Sequence, residues 1–152
     1  MTVTFDIVSA FWVVIGLLFL GLIVGIFLMM IAKVRGFFAS RKFDGTDRET
    51  MRRRWAEIEQ MLESPGEMSR KVAIIEADKL LDYALKSLAM PGMTLGERLK
   101  FAQYKYPDLR EVWWAHKVRN QLAHEASFHL DAGIARNALR TFKKALVRLG
   151  AI

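Results

Sequence analysis

The chain has 152 residues, 23 basic against 16 acidic side chains for a net charge of +7, and no cysteine. The absence of cysteine excludes disulfides, thiolate metal sites and cysteine nucleophiles. With 53% hydrophobic residues and a mean hydropathy of +0.15, the chain is more apolar than a soluble domain of this size usually is, so apolar residues must be concentrated in one stretch.

That stretch is at the N-terminus. No charged residue occurs from Ile7 to Ala32, a run of 26 residues. At a helical rise of about 1.5 Å per residue it spans about 39 Å, more than the roughly 30 Å of a bilayer's hydrocarbon core. One transmembrane helix is therefore expected over residues 7–32, behind a short extracytoplasmic tail, 1–6. Trp12 and Phe37-Phe38 suit the two interfaces. A signal peptide would need a basic segment before a shorter apolar run, whereas here Asp6 precedes the run and the basic residues follow it. Lys33, Arg35, Arg41 and Lys42 set the expected orientation: N-terminus outside, remainder cytoplasmic. Gly21 and Gly25, four apart, share a helix face that would admit a second copy; glycine is also common in membrane helices without that role.

Residues 33–45, KVRGFFASRKFDG, read as a basic juxtamembrane connector suited to anionic headgroups, or as a plain stop-transfer flank. Between residues 33 and 54 there are eight basic and three acidic side chains. The basic excess thus lies mostly beside the apolar run, which favours membrane lipid as its partner over a nucleic-acid face spread through the domain.

Residues 46–152 are expected to form an all-α bundle of four to five helices. Thr46-Asp47-Arg48-Glu49 reads as a capping box for a helix to about Glu63, with Trp55, Ile58, Met61 and Leu62 as its apolar stripe and Ser64-Pro65-Gly66 as its stop. A second helix spans about Glu67 to Ala89, lined by Ile74, Ala77, Leu81, Ala84, Leu85 and Leu88. Thr94-Leu95-Gly96-Glu97 opens a short helix to about Tyr104. Pro107 and Asp108 start the next, which buries Leu109, Val112, Ala115, Val118 and Leu122 and ends near His124. Asp131 begins a last helix to about Leu149, with Ile134, Ala138, Leu139, Phe142, Ala145, Leu146 and Leu149 inward. No stretch alternates with period two, so no sheet is expected. No Walker loop, GxGxxG, HExxH or GxSxG occurs.

The penultimate helix contains Arg119-Asn120-Gln121-Leu122-Ala123-His124. At 100° per residue Ala115, Val118 and Leu122 form its core side, and Arg119, Asn120 and His124 gather along one flank. Arg-Asn-x-x-x-His near the end of a helix, in a bundle of this helix order, resembles the HEPN superfamily. The resemblance covers about residues 46–152 and extends to the second-helix segment Ala73–Asp82; it does not include the anchor. It implies a dimer with two motifs facing one cleft and, in many members, metal-independent RNA cleavage with the ribose 2′-OH as nucleophile. On that reading Arg119 holds the phosphate, His124 transfers the proton and Asn120 orients substrate or partner.

A purely structural role for the same residues is equally concrete. Arg119 can pair with Glu76, Asp78 or Asp82 of the second helix, and Asn120 and His124 can cap the helix end. His116, three residues before Arg119, can line the same cleft, with Glu76 and Asp82 as buried supports. His116 and His124 lack a third ligand, so neither a metal site nor a cofactor is expected. The leading expectation is a membrane-anchored, dimeric, cytoplasmic HEPN-like recognition or binding module, with RNA, a nucleotide or another protein as partner. The alternative is an endoribonuclease acting through Arg119 and His124 in a composite dimer site.

Overall fold

The structure, a computed structural model, describes residues 7–40, 43–125 and 127–152, with side chains described over 10–31 and from 43 onward. Among the described residues six α-helices follow one another and there is no strand. The chain divides into two compact units at Ser40.

The first unit is helix α1, Ile7–Ser40. Its segment Ala10–Ile31 has a mean hydropathy of 3.0, with none of it buried in the protein. It is apolar all round and has no polar face to turn to water, so it is a helix long and apolar enough to cross a membrane. The helix does not end with the apolar run. It continues through Lys33 and Arg35 to Ser40, because no proline interrupts the hydrogen-bond ladder and each added residue completes one more bond. Most of the segment read as a connector is therefore helical. The 1–6 tail and Arg41-Lys42 lie outside the described residues.

The second unit begins with α2, Gly45–Glu63. Its cap is Asp44, whose Oδ1 accepts from the Asp47 amide at 2.6 Å. The expected Thr46–Glu49 box is replaced by a cap two residues earlier, since aspartate caps at least as well as threonine. Met51, Trp55 and Ile58 are buried, while Met61 and Leu62 are only half-buried at the frayed end of the stripe. Helix α3, Glu67–Ser87, lies at the centre of the bundle and packs on α2, α4, α5 and α6. Ala73, Ala77 and Ala84 keep its buried side thin, and Ile74, Leu81 and Leu85 fill the space between helices.

Helix α4, Leu95–Lys105, opens on Thr94, which accepts from the Glu97 amide at 3.3 Å. The Glu97 carboxylate returns to the Met93 amide at 2.6 Å, so the box closes one residue further back than the usual pattern. Pro107 starts a single 3₁₀ turn, Pro107–Glu111, rather than the α-helix expected there; α5 proper is Val112–His124. Helix α6, Ala132–Leu149, is capped by Asp131 and ends on Gly150, whose φ of +75° a side chain would strain. Every expected inward residue of α6 is buried except Ile134, which is half-buried.

Candidate functional site

A groove of about 430 Å³ opens where α3, the first turn of α4 and α5 meet. Its chemistry starts with Asp78. This residue lies between Ile74 and Leu81 on the buried face of α3, and its side chain is 7% exposed. A carboxylate so placed is costly unless it is paired and hydrogen-bonded. Two residues of α5 supply the pairing. His116 Nδ1 lies 2.6 Å from Asp78 Oδ1, and Arg119 Nε lies 3.4 Å from Asp78 Oδ2. His116 and Arg119 are three apart on the helix, so both project toward α3 and share one carboxylate.

The two contacts differ in kind. The histidine contact is a short hydrogen bond that fixes the ring, and the edge of Trp113 packs against the same imidazole. The arginine contact is an ion pair without hydrogen-bond alignment, leaving Nε buried and without a hydrogen-bond partner. The Arg119 side chain is 30% exposed, and its Nη1 donates to Asn120 Oδ1 at 3.2 Å.

The other sequence-derived candidates fall into place around this pair. Asp82, one turn after Asp78, lines the groove, and its partners are Arg98 Nη1 at 2.6 Å and Lys86 at 2.7 Å rather than Arg119. Arg98 is itself buried and also donates to the Met93 carbonyl, so Asp82 fastens α4 to α3. Glu76 pairs with Lys79 at 2.7 Å, away from Arg119. His124, the last residue of α5, is exposed, does not line the groove, and makes no hydrogen bond or ion pair among the described residues. The structure thus brings together Arg119, Asn120, His116 and Asp82, and sets His124 apart. Gly21 and Gly25 of α1 have nothing within 4 Å of where a side chain would begin. Among the described residues no three His, Asp or Glu side chains come together in a way that would hold a metal ion.

Asp78 and Arg98 are the residues whose importance the sequence understated. The signal was present: each is a charge on an apolar stripe, Asp78 four after Ile74 and Arg98 flanked by Leu95, Leu99 and Ala102. A charge in such a position must find a partner.

No family model, no curated protein and no solved structure matches this chain. The HEPN resemblance accordingly stands on the motif residues and the helix order alone.

Proposed function

We propose that this chain is a single-pass, membrane-anchored HEPN-like helical domain, held in the cytoplasm and acting as a dimeric recognition module for RNA or a nucleotide. Its partners are membrane lipid, a second copy and a phosphate-bearing ligand; a protein partner is the competing outcome. The observation that carries the reading is the placement of Arg119 and Asn120 on a preformed groove in which both carboxylates, Asp78 and Asp82, are already engaged by protein cations. Donors remain for a ligand, while the acidic groups that would repel an anion are neutralised. The uncharged segment Ala10–Ile31 of α1 supports anchoring, and the basic residues after the apolar run support a cytoplasmic domain.

The direct test uses the full chain in lipid nanodiscs with fluorescein-labelled single-stranded RNA and 5′-AMP, followed by anisotropy and calorimetry without metal. Binding weakened tenfold or more by Arg119→Ala is the expected result. Wild-type protein that binds neither ligand would remove the reading.

The exposure of His124 favours a second reading, a metal-independent endoribonuclease completed by a second copy. An unpartnered imidazole at a helix end is free to transfer a proton in a composite site. RNA turnover by the nanodisc-held dimer, lost in His124→Ala with melting unchanged, is its signature. Intact RNA after prolonged incubation over a range of sequences would eliminate it.

A further inference from the structure

The geometry points to His116, oriented by Asp78, as the residue that faces the ligand's phosphate in the Arg119 groove, with the first turn of α4 completing the oxyanion site. This inference rests on the recognition reading and assigns its contact atoms.

The dyad is set by which nitrogen is taken. Asp78 Oδ1 holds His116 Nδ1 at 2.6 Å, so Nε2 is the nitrogen left for a ligand. Nε2 lies on the α4 side of the ring, 4.0 Å from where a side chain at Gly96 would begin. Gly96 and His116 both line the groove. The space beside Gly96 is thus bounded by the Trp113 ring at 3.5 Å and by the free imidazole nitrogen. With Asp78 accepting from Nδ1, an imidazolium presents its second N–H at Nε2 to an oxyanion.

Two further sets of donors line the same groove. Arg119 lines the groove with a side chain 30% exposed, while its Nε is buried against Asp78. In α4 the Glu97 and Arg98 amides are satisfied by Thr94 Oγ1 and Thr94 O, but the Leu95 and Gly96 amides, in the same first turn, have no partner among the described residues. A helix start, a guanidinium and an imidazole lining one groove suit a tetrahedral oxyanion with several acceptor oxygens, which is the chemistry of a phosphate ester. His124 has no part in this site.

The source of the phosphate, an RNA diester or a nucleotide monoester, is separated by the ligands used. The full chain in nanodiscs is titrated with 5′-AMP, with adenosine, and with a short RNA lacking terminal phosphates. Four variants are compared with the wild type: His116→Gln, His124→Gln, Gly96→Ala and Gly96→Asp. Alanine fits at Gly96, where the nearest atoms stand at ordinary contact distance. Aspartate there suits the helix start and places a carboxylate where the ligand oxygen would lie, so it blocks the site without unfolding the helix.

The expected result is binding weakened tenfold or more by His116→Gln and by Gly96→Asp, and changed less than twofold by Gly96→Ala and His124→Gln. All four variants should melt within a few degrees of the wild type or above it. The ¹³C-labelled His116 ring resonance should shift on saturation with 5′-AMP and stay fixed with adenosine. Tight binding to the RNA points to a diester, and tight binding to 5′-AMP alone to a monoester. Ligand binding that depends on Arg119 but ignores both His116→Gln and Gly96→Asp overturns this assignment and leaves the recognition reading standing. Absence of binding by the wild type overturns both.

Discussion

At the scale of single residues the site depends on one buried carboxylate serving two cations. Asp78→Asn keeps the shape of the side chain and removes its charge. Arg119 then loses its ion pair, and the imidazole loses a charge-assisted hydrogen bond. Removing one partner of a fully buried pair costs about 3–5 kcal/mol, and the partial exposure of Arg119 and His116 screens some of this, so a loss of about 1–3 kcal/mol is expected. Thermal unfolding followed by circular dichroism measures it; an unchanged melting temperature would mean that the carboxylate is not paired in solution. The sequence displayed half of this arrangement. Arg119 and Asn120 were legible because a motif names them. Choosing Asp78 over Glu76 needed only helix geometry: Asp78 falls on the Ile74–Leu81 stripe, and Glu76 lies about 200° round the helix from Ile74. The fate of Asp82 was not legible, because its partner Arg98 comes from α4, whose position against α3 is set by tertiary packing and not by any local pattern. His124 shows the same limit. Its angle on α5 was correct arithmetic, but the helix ends there and no neighbouring element covers it.

At the scale of elements the apolar stripes translated well into buried faces and the helix ends less well. The stripes are legible because 3.6-residue periodicity is the direct consequence of having one buried side. Ends depend on which of several adjacent polar residues wins a few backbone amides. Asp44 wins over Thr46 at α2, which makes a sharp prediction. Asp44→Ala should cost about 1 kcal/mol, and Thr46→Ala should be close to neutral, in the same thermal measurement. Equal losses would return the cap to Thr46. The start of α3 carries a pH-dependent contact. The Lys71 ammonium, and then the Leu130 amide that donates to Glu67 Oε1 at 3.1 Å, draw the Glu67 carboxyl down to about 2 from its ordinary 4.5. The unfolded chain takes up this proton as pH falls through about 4.5, whereas the folded chain takes it up only near 2. The contact's contribution is therefore complete above about 4.5 and is lost as pH falls toward 2, with solvent screening keeping it small. The protection of the Leu130 amide, its exchange rate relative to an unstructured amide at the same pH, should fall across that acid window in the wild type. In Glu67→Ala, which leaves no side-chain acceptor, that protection should be absent already at neutral pH, and identical protection in the two proteins would remove the contact.

At the scale of the whole molecule the proposed function requires two chains to meet, and α1 is the element with a surface open for it. Confinement to a bilayer raises the effective concentration of one copy near another, so even a modest helix–helix contact can pair them. Within a membrane that contact must come from close packing, because lipid tails supply no hydrophobic drive. Gly21 and Gly25 provide a flat strip with nothing within 4 Å of either. Substituting Gly21→Ile therefore creates no clash inside one chain, and it removes a glycine from a helix interior, so helicity should hold or rise. Any effect on pairing then reads the contact between helices and not the fold of one. Chains labelled at the C-terminus with donor and acceptor fluorophores and reconstituted in vesicles at low protein-to-lipid ratio should transfer energy in the wild type. In Gly21→Ile the transfer should fall severalfold, while Gly16→Ile, the same substitution about 140° and 180° round the helix from Gly21 and Gly25, should leave it intact. Transfer that survives Gly21→Ile would move the pairing surface to the helical bundle. There the motif helix α5 and its exposed His124 would be the first place to look, because a dimer built on that face would also bring the two imidazoles toward one cleft.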